Sequence, residues 1–264
     1  MIDSIANDLD QWEVLEELMA LRADFAIHHA IRGFDMDYEK ALELVRNYSG
    51  ELSAEDRERR TILIAAIENL IDFSVGAEYQ MARDIPDLDF DEMEYGGMDW
   101  DSMSEEQQEE LEDICREYNF TYANVENQDA EYAMIVAAAL AGVLPETTLM
   151  YMTQGDERVR PWHLQYEGYT APKSLFPDWL VPPIEHMCRC FLVEDTVFSQ
   201  MQHVSAKAGS KPEMPEWFNP TFKESVAFGG RIFSDAHRYF QCEEQHRERL
   251  QAMAESIKHK YLQQ

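Results

Sequence analysis

Thr153-Gln154-Gly155-Asp156-Glu157-Arg158-Val159-Arg160-Pro161-Trp162-His163, followed by Gly168, Pro182-Pro183 and Cys188-Arg189-Cys190, is the stretch on which the reading of this chain turns. Neither a helical nor a strand period accounts for these residue types at these intervals. Arginine, histidine and cysteine set between Gly and Pro punctuators describe a turn-rich segment in which the fold holds polar groups in fixed places. Asp156, Arg158 and Arg160 alternate, so an extended backbone would project all three from one side. An Asp flanked by arginines forms charge-assisted pairs, because the guanidinium fork matches a carboxylate. Pro161 suits the first position of a short helix, which puts His163 in its opening turn. Two uses follow. Arg158, Arg160 and His163 are the candidates for an anion-binding or catalytic site. Asp156, Arg158, Arg160, His163, Arg189 and His237 are the candidates for a polar network locking a strand-to-helix corner, and the network is the expectation.

His186-x-Cys188-x-Cys190 adds a metal question. Zinc takes thiolate and imidazole ligands in a tetrahedron, so His163, His186, Cys188 and Cys190 are candidate ligands. His203, His237, Cys242 and His246 offer a further one. The spacing lacks the two-residue gap of common zinc knuckles. In a strand, Cys188 and Cys190 share a face while Arg189 points the other way. Cysteine is often buried simply as a small apolar residue. A buried structural pair without a cofactor is expected, with zinc as the alternative. Cys242 and His246 lie four apart, and a solvated helical face is expected there. The chain has no Gly-x-Ser-x-Gly elbow, no phosphate-binding Gly-x-x-x-x-Gly-Lys, no Gly-x-Gly-x-x-Gly and no His-Glu-x-x-His. An ordinary metabolic enzyme is not indicated.

Working outward, the 264 residues suffice for one or two domains with a sizeable core, and 45% hydrophobic content argues for a folded chain. No apolar run approaches a membrane span, and the N-terminus opens acidic rather than with a signal-like basic region. Four cysteines in this length do not make a disulfide framework, so a reduced compartment is expected. The net charge of −30 is uneven: residues 1–150 hold 9 Lys+Arg against 37 Asp+Glu, whereas residues 151–264 hold 13 against 15. An acidic front repels phosphates, so little direct binding of duplex DNA is expected. The charge border suggests a helical region over 1–145 and a second unit over 146–264.

The front reads as helices. Ile5, Leu9, Trp12, Leu15, Leu18 and Met19 form one apolar stripe, and residues 37–48 suggest a second helix ended by Gly50. Ser53-Ala54-Glu55-Asp56 caps a long helix through Ile64, Ile67, Ile71 and Val75. Fourteen acidic residues and no basic one lie between Asp84 and Asp113, which reads as a solvated loop. Such a block also admits a docking segment or a divalent-ion site. Ser104-Glu105-Glu106-Gln107 caps a further helix, and residues 129–141 read as a buried helix stopped by Gly142. Past Pro145 the pattern changes. Residues 147–153 and 189–194 suggest strands, 205–220 an irregular connector, and 234–262 a helical tail with Ser234 as N-cap. The fold class is therefore α+β, a predominantly helical N-terminal region followed by a small module with short strands and a C-terminal helix.

The ordered set Asp156, Arg158, Val159, Arg160, His163, Gly168, Pro182, Pro183, Cys188, Arg189 and Cys190 resembles the hallmark of the phage Mu protein F-like family of minor head (head morphogenesis) proteins. The likeness is tight over residues 148–195 and looser through Asn219, Gly230, Ile232, Phe233, His237 and Tyr239. It departs from the family pattern at His186-Met187, where an aromatic and a small polar residue are usual, and at Arg238, where Pro is common. The resemblance implies a small α+β module behind a variable helical front. It implies a role in head assembly or DNA packaging, with portal, capsid or scaffold proteins as partners. It also implies a place in the virion, in the capsid interior or near the portal, after a stay in the host cytoplasm. The alternatives are a metal-dependent nuclease or hydrolase using Arg158, Arg160, His163 and the cysteine pair, and an acidic mimic of DNA.

Overall fold

A computed structural model describes residues 11–47, 50–85, 103–195 and 212–263. Ile5 and Leu9 of the first stripe, Tyr48, the middle of the acidic block and residues 205–211 of the connector lie outside the described residues. The architecture is α+β, as expected: long helices in front, a small antiparallel sheet and a C-terminal helix.

Helix α1 (Gln11–Gly33) buries Trp12, Leu15, Met19, Ala23, Ile27, Ala30 and Ile31, the three- and four-residue recurrence of one face. Leu18, expected on that stripe, is exposed instead, beside Leu21 and Phe25. Helix α2 (Tyr38–Val45) is shorter than its sequence pattern and is capped by Asp37, whose carboxylate accepts the Lys40 N–H. Helix α3 (Ala54–Asp84) starts at the expected cap, with Ser53 Oγ accepting the Asp56 N–H at 3.0 Å. It is the axis of the fold, packed against α1 on one side and the C-terminal helix on another.

Ser104 and Gln107 form the reciprocal capping box that opens α4 (Glu105–Arg116). A π-helical stretch, Glu117–Tyr122, leads directly into α5 (Ala123–Leu140), so the buried helix expected over 129–141 begins earlier. Gly33 lets α1 and α5 cross closely, because a Cβ there would overlap the Glu131 carbonyl. The C-terminal end of α5 is tied to the sheet region. Lys173 Nζ donates to the carbonyls of Leu140 (2.8 Å) and Val143 (3.0 Å), satisfying groups that a helix end leaves open.

The sheet has the order β2-β1-β3, both pairings antiparallel: β1 (Thr148–Met152) lies between β2 (Thr170–Pro172) and β3 (Phe191–Glu194). Met150 faces Thr170 on one side and Val193 on the other. The tail departs from expectation. Ser234 does not cap a helix; it is buried, and its hydroxyl donates to the Pro220 carbonyl at 2.6 Å. Residues 234–241 run as turns, and helix α6 (Glu244–Leu262) starts nine residues later than a Ser234 cap predicts. The reason lies in α3. Gly76 has no side chain, which allows the Tyr239 carbonyl to sit against that helix, and Phe73 stacks on Phe233 and packs against Tyr239. Asn69 binds the same segment, accepting the N–H groups of Ile232 and Phe233 and donating to the Phe233 carbonyl. A helix over 234–241 would forfeit these contacts.

The charge border near residue 145 does not divide the buried interior. Apolar side chains from Trp12 to Ile257 join one cluster that spans both parts of the chain.

Candidate metal centre

The chain that follows β1 turns at once. Gly168, with φ +80°, occupies the left-handed region and lets the chain return beside Tyr151: Gly168 N–H donates to the Tyr151 carbonyl, and Tyr151 N–H to the Tyr169 carbonyl, each at 2.9 Å. Residues 156–159 form a turn closed by Val159 N–H on the Asp156 carbonyl, with Arg158 N–H on the Asp156 carboxylate. The expectation of three side chains on one extended face therefore fails. Asp156 turns to Arg189, whose Nη2 lies 2.9 Å from both carboxylate oxygens, and this guanidinium holds the Asp156 carboxyl below its ordinary range. Arg158 is exposed at the surface. Arg160 reaches the other way, with Nη2 donating to the His186 carbonyl and Nε 2.9 Å from Glu185 Oε2.

Pro161 is followed by the short helical turn expected of it, though His163 sits at its N-cap rather than inside it. His163 is 2% exposed, and Trp162, packed edge-on to Trp217, covers its ring. Its Nδ1 lies 3.2 Å from Cys190 Sγ and 3.9 Å from Cys188 Sγ. Its Nε2 lies 3.4 Å from Glu185 Oε2. The two cysteines precede β3 instead of lying in it, yet the expected alternation holds: both thiols are buried and Arg189 points outward to Asp156.

The two thiols are hydrogen-bonded to each other. Cys188 donates to Cys190, so its own pKa is pushed well up, by that bond first and by burial second. The accepting Cys190 is held below the ordinary thiol value by the same bond. Tyr151 adjoins Cys190, and burial raises its pKa strongly. Tyr132 of α5 donates to the Cys190 carbonyl at 2.7 Å.

Of the four candidate ligands, the fold brings three together. The donor atoms of His163, Cys188 and Cys190 lie within 4.8 Å of one another, a buried group that could hold a metal ion. His186 is turned away from it: its Nδ1 pairs with Asp129 at 2.8 Å, and its ring packs edge-on to Phe222. His237, placed in the Asp156 network by sequence, instead lies among Phe73, Phe233 and Tyr239, where its Nδ1 accepts the Tyr239 N–H. His246 meets the Tyr79 hydroxyl at 3.1 Å, and His203 lies outside the described residues.

Sequence reasoning missed Glu185, Asp129 and Tyr151. Asp129 left a signal, since it heads an otherwise apolar helical run where a carboxylate needs partners. It finds them in His186 and in the Met187 N–H, 2.7 Å from Oδ1. Glu185 and Tyr151 carried no such mark, because their roles depend on which strands and turns meet.

No family model, curated protein or solved structure matches this chain.

Proposed function

We propose that this chain is a phage or prophage minor head protein that acts in head assembly or DNA packaging through contacts with portal, capsid or scaffold subunits. The carrying observation is the convergence at one corner of residues scattered over positions 156–190. Asp156 holds Arg189, Arg160 holds Glu185 and the His186 carbonyl, and His163 meets both cysteines. Such mutual use fits a module whose hallmark residues build its shape. Two surface features suit protein contact. Leu18, Leu21 and Phe25 expose one apolar stripe of α1, and the acidic front disfavours a nucleic-acid partner. The role requires no cofactor that turns over. A nuclease or hydrolase built on Arg158, Arg160 and His163 is less well supported, because His163, Cys188 and Cys190 are at most 3% exposed and Arg158 stands apart on the surface.

The test is to induce the prophage-bearing source strain, band particles and proheads on a density gradient, and quantify this chain by mass spectrometry. A few copies per head, cross-linked to portal or capsid subunits, are expected. Absence from both particles and proheads would overturn the reading.

A further inference from the structure

We propose that His163, Cys188 and Cys190 bind one zinc ion that staples the turn after β1 to the segment entering β3. Such a centre does not depend on any role in head assembly. Four observations support it.

The spacing comes first. Zn–S near 2.3 Å and Zn–N near 2.0–2.1 Å at a tetrahedral angle imply N···S of about 3.6 Å. Nδ1 of His163 lies 3.2 Å from one sulfur and 3.9 Å from the other, so shifts of a few tenths of an ångström admit the ion. The pairs are poor as hydrogen bonds, because sulfur is a weak donor and acceptor.

Histidine orientation is the second. The nitrogen turned away from the sulfurs, Nε2, faces Glu185 Oε2 at 3.4 Å and is buried without another hydrogen-bond partner. A metal-ligating histidine characteristically gives its other N–H to a carboxylate, which fixes the tautomer and leaves the ligating lone pair free. Arg160 Nε, 2.9 Å from the same oxygen, holds the carboxylate in place.

The third is an orphan. The Tyr151 hydroxyl is fully buried and makes no well-formed hydrogen bond, while adjoining the Cys190 sulfur. A zinc-bound thiolate is a better acceptor than a thiol and would satisfy it.

Charge is the fourth. One Zn²⁺ displaces one proton from each cysteine and leaves a neutral centre of two thiolates and one imidazole. Glu185 is offset by Arg160, so no net charge is buried. The N/S donor set selects zinc over oxygen-preferring magnesium or calcium. Three protein ligands leave one position for water.

The experiment uses the full chain, purified untagged and without chelator. Elemental analysis is expected to find about one zinc per chain. Chelation should lower the melting temperature, and added zinc, not magnesium, should restore it. Cobalt in place of zinc should give tetrahedral visible bands with thiolate charge transfer. Cys188→Ser and Cys190→Ser should each weaken that charge transfer and together abolish it, whereas Cys115→Ser and Cys242→Ser retain it. Glu185→Gln should keep the spectrum and weaken zinc binding about 10- to 100-fold. Because the cysteine variants can fail to fold, the unmodified chain decides. Substoichiometric zinc with no cobalt charge-transfer band overturns the proposal. So does bound copper in place of zinc, or a cobalt spectrum lost in Cys242→Ser and kept in Cys188→Ser.

Discussion

The helical front and the corner around His163 are stabilised in different ways. In the front, α1, α3 and α5 bury a continuous apolar face, and stability is spread over many side chains of similar worth. The corner has short strands and turns, and it depends on a few point contacts: Asp156 on Arg189, Arg160 on Glu185, His163 on the cysteines. A distributed core tolerates loss of one contact, whereas a corner built from points does not. The front nonetheless contains one point of its own. Arg22, its side chain 10% exposed, lies between Glu78 (3.0 Å) and Glu126 (3.1 Å), and donates also to the Tyr118 carbonyl.

That triad offers the strongest way to break the contrast. Arg22→Ala leaves two carboxylates buried without their cation, and should cost about 3–5 kcal/mol in urea unfolding. Arg22→Met combined with Glu78→Leu and Glu126→Leu should recover most of the loss, since well-packed apolar side chains replace a buried ion group at little cost. An Arg22→Ala loss below that of an exposed arginine would show that water reaches the triad.

His237 gives the next effect, at the seam between the two regions. Burial first, then His186 and Arg238, lower its pKa to about 4, against about 6.5 unfolded. Between these values the unfolded chain binds the extra proton, so stability rises with pH through that window. It is fully present above about 6.5 and is lost as pH falls toward 4, by at most about 3 kcal/mol. His237→Asn keeps an acceptor for the Tyr239 N–H and removes the titration. Its stability should decline less steeply between pH 6.5 and 4 than that of the unmodified chain. Parallel pH profiles would refute a buried neutral imidazole.

Much of the front was legible because periodicity and caps are local. Ser53 and Ser104 cap the helices their sequences announce, and Ile67, Ile71 and Val75 are buried as α3's own pattern requires, with Ile64 half-buried. The tail departs from its local sequence pattern for a long-range reason. Residues 234–241 have helical composition, but the Gly76 notch and the Asn69 amide in α3 hold them as turns. Gly76 was the visible clue, a glycine inside a long helix where close backbone approach is the usual cause. In the corner, the residue set was legible and the partners were not. His186 and His237 were assigned to the wrong neighbours because Asp129 and Phe73 come from distant helices. Met187, at φ +58°, places its N–H on Asp129, so α5 holds the chain where it enters the cysteine segment.

The smallest effect tests the corner itself. Sequence alone suggests comparing Arg160→Ala with Arg249→Ala as a surface control, but Arg249 lies 4.4 Å over the Trp12 ring and is a poor reference. Arg158, two residues from Arg160 and exposed, is the better one. Arg160→Ala removes the bonds to Glu185 and the His186 carbonyl and leaves Glu185 Oε2 buried, for a cost of about 1–2 kcal/mol. Arg158→Ala should stay within about 0.5 kcal/mol of the parent. Arg160→Lys should behave more like Ala than like Arg, because one ammonium cannot reach both acceptors in the geometry of the fork. Equal melting temperatures for Arg160→Ala and Arg158→Ala would mean that the corner is held by its buried thiols and aromatic rings, and that Arg160 serves contact with another molecule instead.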